Sequence, residues 1–276
     1  MKFLQMADSV RYARMTSAEL RETFLLEDLF TPGRIDLAYT DLDRAVIGSA
    51  VPTTGTLTLE TSPELRAEYF LERRELGVLN TGGAGTIVVD GTSYDLDKLD
   101  VLYVGRGSKS VTFASKSASN PASFYLLSYL AHKEYPTALA KFKDLKGLEL
   151  GSLETCNKRT IYKAIYRDGI QSSQLVMGFT HLDPGSNWNT LPSHTHNRRS
   201  EIYFYFDVEP DQFVAHLMGP ADATSHIILH DKQVVLSPGW SIHSGVGSKN
   251  YTFCWGMGGE NQAYDDMDGI PMRELR

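Results

Sequence analysis

Residues 192–206 read PSHTHNRRSEIYFYF. On an extended strand side chains alternate with period two, so His194 and His196 project to the same face. Asn197–Ser200 is a polar segment short enough for a tight turn, and Glu201 opens the β-prone run EIYFYF. A strand, a turn and a second strand would bring the Glu201 carboxylate back beside the two rings.

A His-x-His pair is common by chance, and alone it reads as surface decoration. Here Pro192 precedes the pair and a hydrophobic strand follows Glu201. Downstream, Ser237–His243 reads SPGWSIH, a turn and then a strand, the kind of element that delivers a fourth ligand from a distant part of the chain. The expected set is therefore His194, His196, Glu201 and His243. Three imidazoles and one carboxylate suit zinc, and equally iron, manganese or nickel.

The chain has 276 residues, enough for one large domain or two packed ones. Its net charge of −7 argues against nucleic acid, whose phosphates need a basic footprint, but leaves room for a small anionic substrate met by a local Arg/Lys cluster. The first 15 residues, MKFLQMADSVRYARM, contain no continuous apolar core of a secretory signal, and no run is long enough to span a bilayer. Cys156 and Cys254 lack metal-type spacing and read as buried, reduced thiols of a cytosolic protein.

Thr16-Ser17-Ala18-Glu19 forms a capping box opening a short helix. Beyond Pro32-Gly33 the pattern is β: strands are expected at 35–39, 45–51, 56–60, 68–79, 86–89, 92–96, 101–104, 111–113 and 123–130, with Asp90-Gly91 as a two-residue hairpin. A second helical stretch is expected over Thr137–Lys143, and the β pattern resumes from Thr160 to an acidic, turn-rich tail.

Placing Val89-Asp90-Gly91 over Leu229-His230-Asp231 without gaps matches Leu96 with Leu236, Gly105 with Gly245, Gly107 with Gly247 and Thr112-Phe113 with Thr252-Phe253. This suggests two copies of one β-rich module, with Tyr103 where the second copy has His243. The expected boundary falls between residues 135 and 136. All eight histidines lie at or after His132, so the first module cannot build the same imidazole site.

The arrangement Gly185…His194-x-His196-x4-Glu201, followed by Pro238-Gly239-x3-His243, resembles the two halves of the cupin signature, with a longer gap than usual between Gly185 and His194. That resemblance implies a mostly β bicupin: two jelly-roll barrels with a few short helices, ligands at the mouth of the second. Asn157–Ile165, Gln174–Phe206 and Ser237–Asp268, above all WSIHSGVGSKNYTFCWGMGGEN, are similar to the 5-keto-4-deoxyuronate isomerase family, the 4-deoxy-L-threo-5-hexosulose-uronate ketol-isomerases of pectin breakdown. The resemblance implies one zinc ion per subunit on His194, His196, Glu201 and His243, a cytoplasmic hexamer and a small anionic sugar-acid substrate, with no nucleic-acid or membrane partner.

Such an isomerase moves a proton between C1 and C2 through an enediol or enediolate, or shifts a hydride. Lys163, Tyr162, His181, Asp265 and Asp266 are candidates for a base, Lys163 and Asp266 foremost. Arg159 and Lys163, on one face of TIYKAIY, are the candidates to hold the substrate carboxylate, with Arg198 and Arg199 at the rim. Trp188 and Trp240 are candidate walls. An iron-dependent cupin dioxygenase and a non-enzymatic sugar-acid binding protein with a structural metal remain open alternatives, since one fold hosts many activities.

Overall fold

A computed structural model describes residues 1–260 and 266–276. Two compact units divide the chain: Met1–Leu4 with Asp28–Leu145 and Ala164–Val176, and Gln5–Glu27 with Lys146–Lys163 and Met177–Arg276.

In the first unit a seven-stranded sheet runs in the order Lys2–Leu4, Ile35–Thr40, Val46–Ala50, Phe124–Leu130, Arg74–Asn80, Val101–Val104, Ala138–Ala140. A four-stranded sheet follows the order Thr56–Thr58, Val111–Ser115, Gly85–Val89, Thr92–Leu96. Leu76, Val78, Leu102, Val104 and Leu126 from the first sheet and Ile87, Val89, Val111 and Phe113 from the second form one buried apolar cluster, so the two sheets close over a shared core.

The second unit repeats the plan. Its seven-stranded sheet runs Gly147–Leu150, Arg159–Ile165, Val176–Leu182, Thr252–Gly259, Arg199–Phe206, Gln233–Ser237, Leu25–Leu26. Its four-stranded sheet runs Trp188–Asn189, Ile242–Gly247, Val214–Gly219, Ser225–Leu229. The mostly β, two-barrel jelly-roll expectation holds.

Most expected strands appear within a residue or two. Thr16 caps Ser17–Phe24 with its side chain and Glu19 closes the box, and Asp90-Gly91 joins strands paired from Val89 to Thr92. Three readings are corrected. Residues 68–73 lie outside the strand, which begins at Arg74. Thr137–Lys143 is not a helix: Ala138–Ala140 pairs along Val101–Val104 before a short 3₁₀ turn, edge pairing overriding the helical preference of Ala, Leu and Lys. Cys156 is exposed in a tight turn while Cys254 is buried, both as free thiols.

The repeat is real but its gapless register is shifted by one strand. By position in the sheets Val101–Val104 corresponds to Gln233–Ser237, and the His243 strand corresponds to Val111–Ser115. Turn glycines recur at nearly every hairpin, so a register slipped by one strand still superposes them. Tyr103 is therefore no counterpart of His243; its hydroxyl donates to the buried Glu75 carboxylate at 2.7 Å.

Candidate metal centre and its cavity

His194 lies on the short His194–Thr195 strand, Glu201 is the third residue of Arg199–Phe206, and His243 is the second of Ile242–Gly247. The turn between the first two closes through the Arg199 N–H donating to the His196 carbonyl at 3.3 Å. Pro238-Gly239 then leads into the His243 strand. A Cβ on Gly239 would sit 3.1 Å from the His196 carbonyl and 3.2 Å from Asn197, so the missing side chain lets the two turns approach.

The four expected side chains converge, their ligand atoms all within 4.8 Å of one another. His194 is half-buried and the other three are buried. Nε2 of His196 and Nε2 of His243 each lie 2.9 Å from Oε2 of Glu201, and Nε2 of His243 lies 2.9 Å from Nε2 of His194. Bonds of about 2.0–2.2 Å to a shared cation place neighbouring donors roughly 2.8–3.6 Å apart, the short end for octahedral and the long end for tetrahedral geometry. The observed spacings fall in that range.

Nδ1–H of His196 donates to the Arg199 carbonyl at 2.9 Å. A carbonyl only accepts, so Nδ1 keeps its proton: Nε2 donates to Glu201 while the ring is charged and offers its lone pair to the cluster when the ring is neutral. Burial works hardest against charge on Glu201, but the fields and hydrogen bonds of His243 and His196 hold it well below the usual carboxylate range. Burial likewise disfavours charge on His196, and the Glu201 carboxylate outweighs it, raising that ring above the ordinary imidazole value. His194 is pressed down to about 3, first by burial and then by the field of His243. Glu201 is thus an anion buried among imidazole nitrogens, a donor set that could hold a divalent cation.

The cluster opens on a cavity of about 230 Å³, sized for a small molecule, lined by His194 and Glu201 together with Arg159, Thr180, Thr190 and Tyr203 among apolar neighbours. Phe253 and Trp255 form part of the apolar wall, and Tyr203 stacks on Phe253 with centroids 5.1 Å apart and planes 5° from parallel.

The remaining candidates fall in different places. Arg159 lines the cavity and donates to the Asn157 carbonyl at 2.9 Å. Lys163 lies four residues further along the same strand, half-buried and not among the lining residues. Asp266 is held by the Arg198 guanidinium at 3.2 Å and by that of Arg199 at 2.5 Å. The strand that follows, Asp268–Gly269, pairs with His194–Thr195, so this segment braces the strand carrying His194. Asp265 lies outside the described residues. Tyr162 stacks on Phe179, His181 is exposed with Nδ1 2.9 Å from the Thr252 hydroxyl, and Trp240 packs on Tyr12 and Phe24; with Trp188, none of these lines the cavity.

Sequence reasoning passed over two polar groups. His216 is fully buried, pressed down to about 3 by burial, with Nδ1 2.7 Å from the Tyr205 hydroxyl. Thr190 and Tyr203 face each other with hydroxyls 2.9 Å apart. The alternation of EIYFYF does place Tyr203 on the face of Glu201, so half of the second pair was readable.

The profile of the KduI/IolB family matches residues 30–270. The chain belongs to the KduI/IolB family. It is 52% identical over 266 residues to a 4-deoxy-L-threo-5-hexosulose-uronate ketol-isomerase of Caldicellulosiruptor bescii, with 96% of each chain aligned. A protein of the same name from Lachnoclostridium phytofermentans is 53% identical over 261 residues, 95% of each chain. One from Pectobacterium carotovorum subsp. carotovorum is 46% identical over 264 residues, again 95% of each. Among solved structures, an IolB-like protein from Salmonella typhimurium LT2 superposes with a TM-score of 0.73 at 12% identity, covering 90% of this chain and 97% of its own. An oxalate decarboxylase from Lactobacillus farciminis, solved as a formate complex, superposes with a TM-score of 0.61 at 10% identity, covering 90% and 88%. At such low identity these structures establish the cupin fold and nothing about the reaction.

Proposed function

We propose that the chain is a metal-dependent ketol-isomerase that converts 4-deoxy-L-threo-5-hexosulose uronate (5-dehydro-4-deoxy-D-glucuronate) to 3-deoxy-D-glycero-2,5-hexodiulosonate in uronate catabolism downstream of pectin breakdown. One observation carries this reading: three imidazole nitrogens and a carboxylate oxygen converge at the wall of a small cavity that also holds a guanidinium. Relatives of about half identity over nearly the whole chain bear the name of that activity. We assign His194, His196, Glu201 and His243 as the ligands of one zinc ion, a donor set that iron, manganese or nickel would also fit. The protein is read as cytoplasmic and hexameric; no helix among the described residues is long and apolar enough to cross a membrane.

The reaction breaks the C2–H bond and forms a C1–H bond, while a proton leaves the C2 oxygen and one reaches the C1 oxygen. A bound divalent cation supplies Lewis-acid stabilisation of the negative charge that develops on the carbonyl oxygen, worth several kcal/mol. Arg159 holds the substrate carboxylate, and Ile161, Phe253 and Trp255 keep bulk water from the reacting carbons. Glu201, committed to the cluster, does not act as the base. Lys163 and Asp266 stand as candidates for the proton exchange at C2; the two guanidinium partners of Asp266 favour a bracing role for it.

The test is turnover of the purified protein on the deoxyhexosulose uronate, followed by NMR in deuterated water with dissolved oxygen monitored. Appearance of the ketone without oxygen uptake is expected. Oxygen consumption would point to the dioxygenase, and binding without conversion to a sugar-acid binding protein.

A further inference from the structure

Thr190 has a backbone φ of +46°. Among the described residues it is the only β-branched side chain in the left-handed region, where Asp, Lys or Arg account for most of the other non-glycine cases. A β-branched residue there is strained, because its Cβ substituents crowd the flanking peptides. A turn that needs only this backbone shape is filled most cheaply by Gly, Asn or Asp, and least cheaply by a β-branched residue.

The residue before Thr190 is held at three points. The carbonyl of the preceding Asn189 accepts from the Ser244 hydroxyl at 2.9 Å, and its side-chain amide donates to the Tyr251 hydroxyl at 2.8 Å. Asn189 also pairs with Gly245 across the sheet. With the backbone held this way, the Thr190 hydroxyl lies 2.9 Å from that of Tyr203, and both residues line the cavity that His194, Glu201 and Arg159 share. Tyr203 stands two residues beyond Glu201 on the same strand face, its ring centroid 5.4 Å from that of His243.

We infer that Thr190, paired with Tyr203, is a specificity-determining residue that recognises the substrate hydroxyl adjacent to the reacting carbons. This rests on the isomerase reading. In a 4-deoxy-5-ketouronate the oxygens on C1 and C2 are the reacting ones, C4 carries none and the C5 ketone only accepts, so the C3 hydroxyl is the one group left that uses both donor and acceptor capacity. Two side-chain hydroxyls held at hydrogen-bond distance offer both donor and acceptor capacity to a third, and a site built for a hydroxyl rejects an analogue without it. Strain at the backbone is what a position retains when the side chain it presents is needed.

The experiment compares wild type with Thr190→Gly, Thr190→Val, Thr190→Ser and Tyr203→Phe, each loaded with metal to the same measured occupancy. Both the natural substrate and its 3-deoxy analogue are assayed. Thr190→Gly relieves the strain, so its Tm should equal or exceed that of wild type while kcat/KM falls about 10–100-fold. Thr190→Val and Tyr203→Phe should lose a similar factor, and Thr190→Ser should stay within about threefold of wild type. Discrimination against the 3-deoxy analogue, strong in wild type, should collapse in Thr190→Gly. A Thr190→Gly protein with kcat/KM within about twofold of wild type and unchanged discrimination would overturn the inference while leaving the isomerase reading intact. A fully metallated wild type that never turns over the uronate would overturn both.

Discussion

Glu75 and Glu201 are both buried carboxylates on corresponding inner strands of the two seven-stranded sheets, and their surroundings differ. Glu75 accepts the N–H groups of Ser173, Gln174 and Leu175 at 2.6–2.8 Å and the Tyr103 hydroxyl at 2.7 Å. Four donors satisfy it, and its role is to fix the chain that leads into Val176–Leu182. Among the described residues Glu201 meets no backbone donor but two imidazole nitrogens at 2.9 Å, one of them on a ring whose other nitrogen is held by the Arg199 carbonyl. A buried carboxylate that backbone donors satisfy is structural; one left facing imidazole nitrogens is free to take a cation.

The barrel interiors show the same divergence. Leu76 pairs with Val104, the last residue of its strand, as Glu201 pairs with Ser237, the last of its own. Leu71 stands five residues before Leu76, as His196 stands five before Glu201, and Val111 opens the strand that corresponds to the His243 strand. Leu71, Leu76 and Val111 all belong to the first unit's apolar core. The first unit fills these positions with hydrocarbon and the second with imidazole and carboxylate.

The sharpest way to break this contrast is Glu201→Gln. It should empty the metal site and cut kcat by at least about a thousandfold, equivalent to about 4 kcal/mol, with the fold retained by circular dichroism. Glu75→Ala should do the reverse, leaving metal content unchanged while denaturant unfolding shows a loss of about 3–5 kcal/mol from three stranded backbone donors. Arg159→Ala should raise KM about 10–100-fold, the loss of one charge-assisted contact, with little change in kcat. At the small end, Lys158→Ala removes an ion pair to Asp183 at 3.0 Å between partly exposed side chains, and the denaturation midpoint should stay close to that of wild type.

The three-histidine, one-glutamate cluster was legible because its information is local: a two-residue spacing, a four-residue turn and a Pro-Gly turn entering a strand. The strand ladder was legible for the same reason. What the sequence concealed depends on long-range pairing. The repeat register slipped because hairpin glycines match in several alignments, and only strand order in the sheet chooses among them. Thr137–Lys143 carries a helical preference that an edge strand overrides. Thr190 gave no signal at all, since neither its backbone angle nor the tyrosine thirteen residues on that it meets is encoded in a local pattern.

The most direct test of the central claim is a paired measurement of bound metal and isomerase turnover during chelation and refilling of the intact protein. One divalent cation per chain is expected, with activity falling in proportion to its removal and returning when zinc or a similar cation is added back. Undiminished turnover by protein shown to be metal-free would contradict the account.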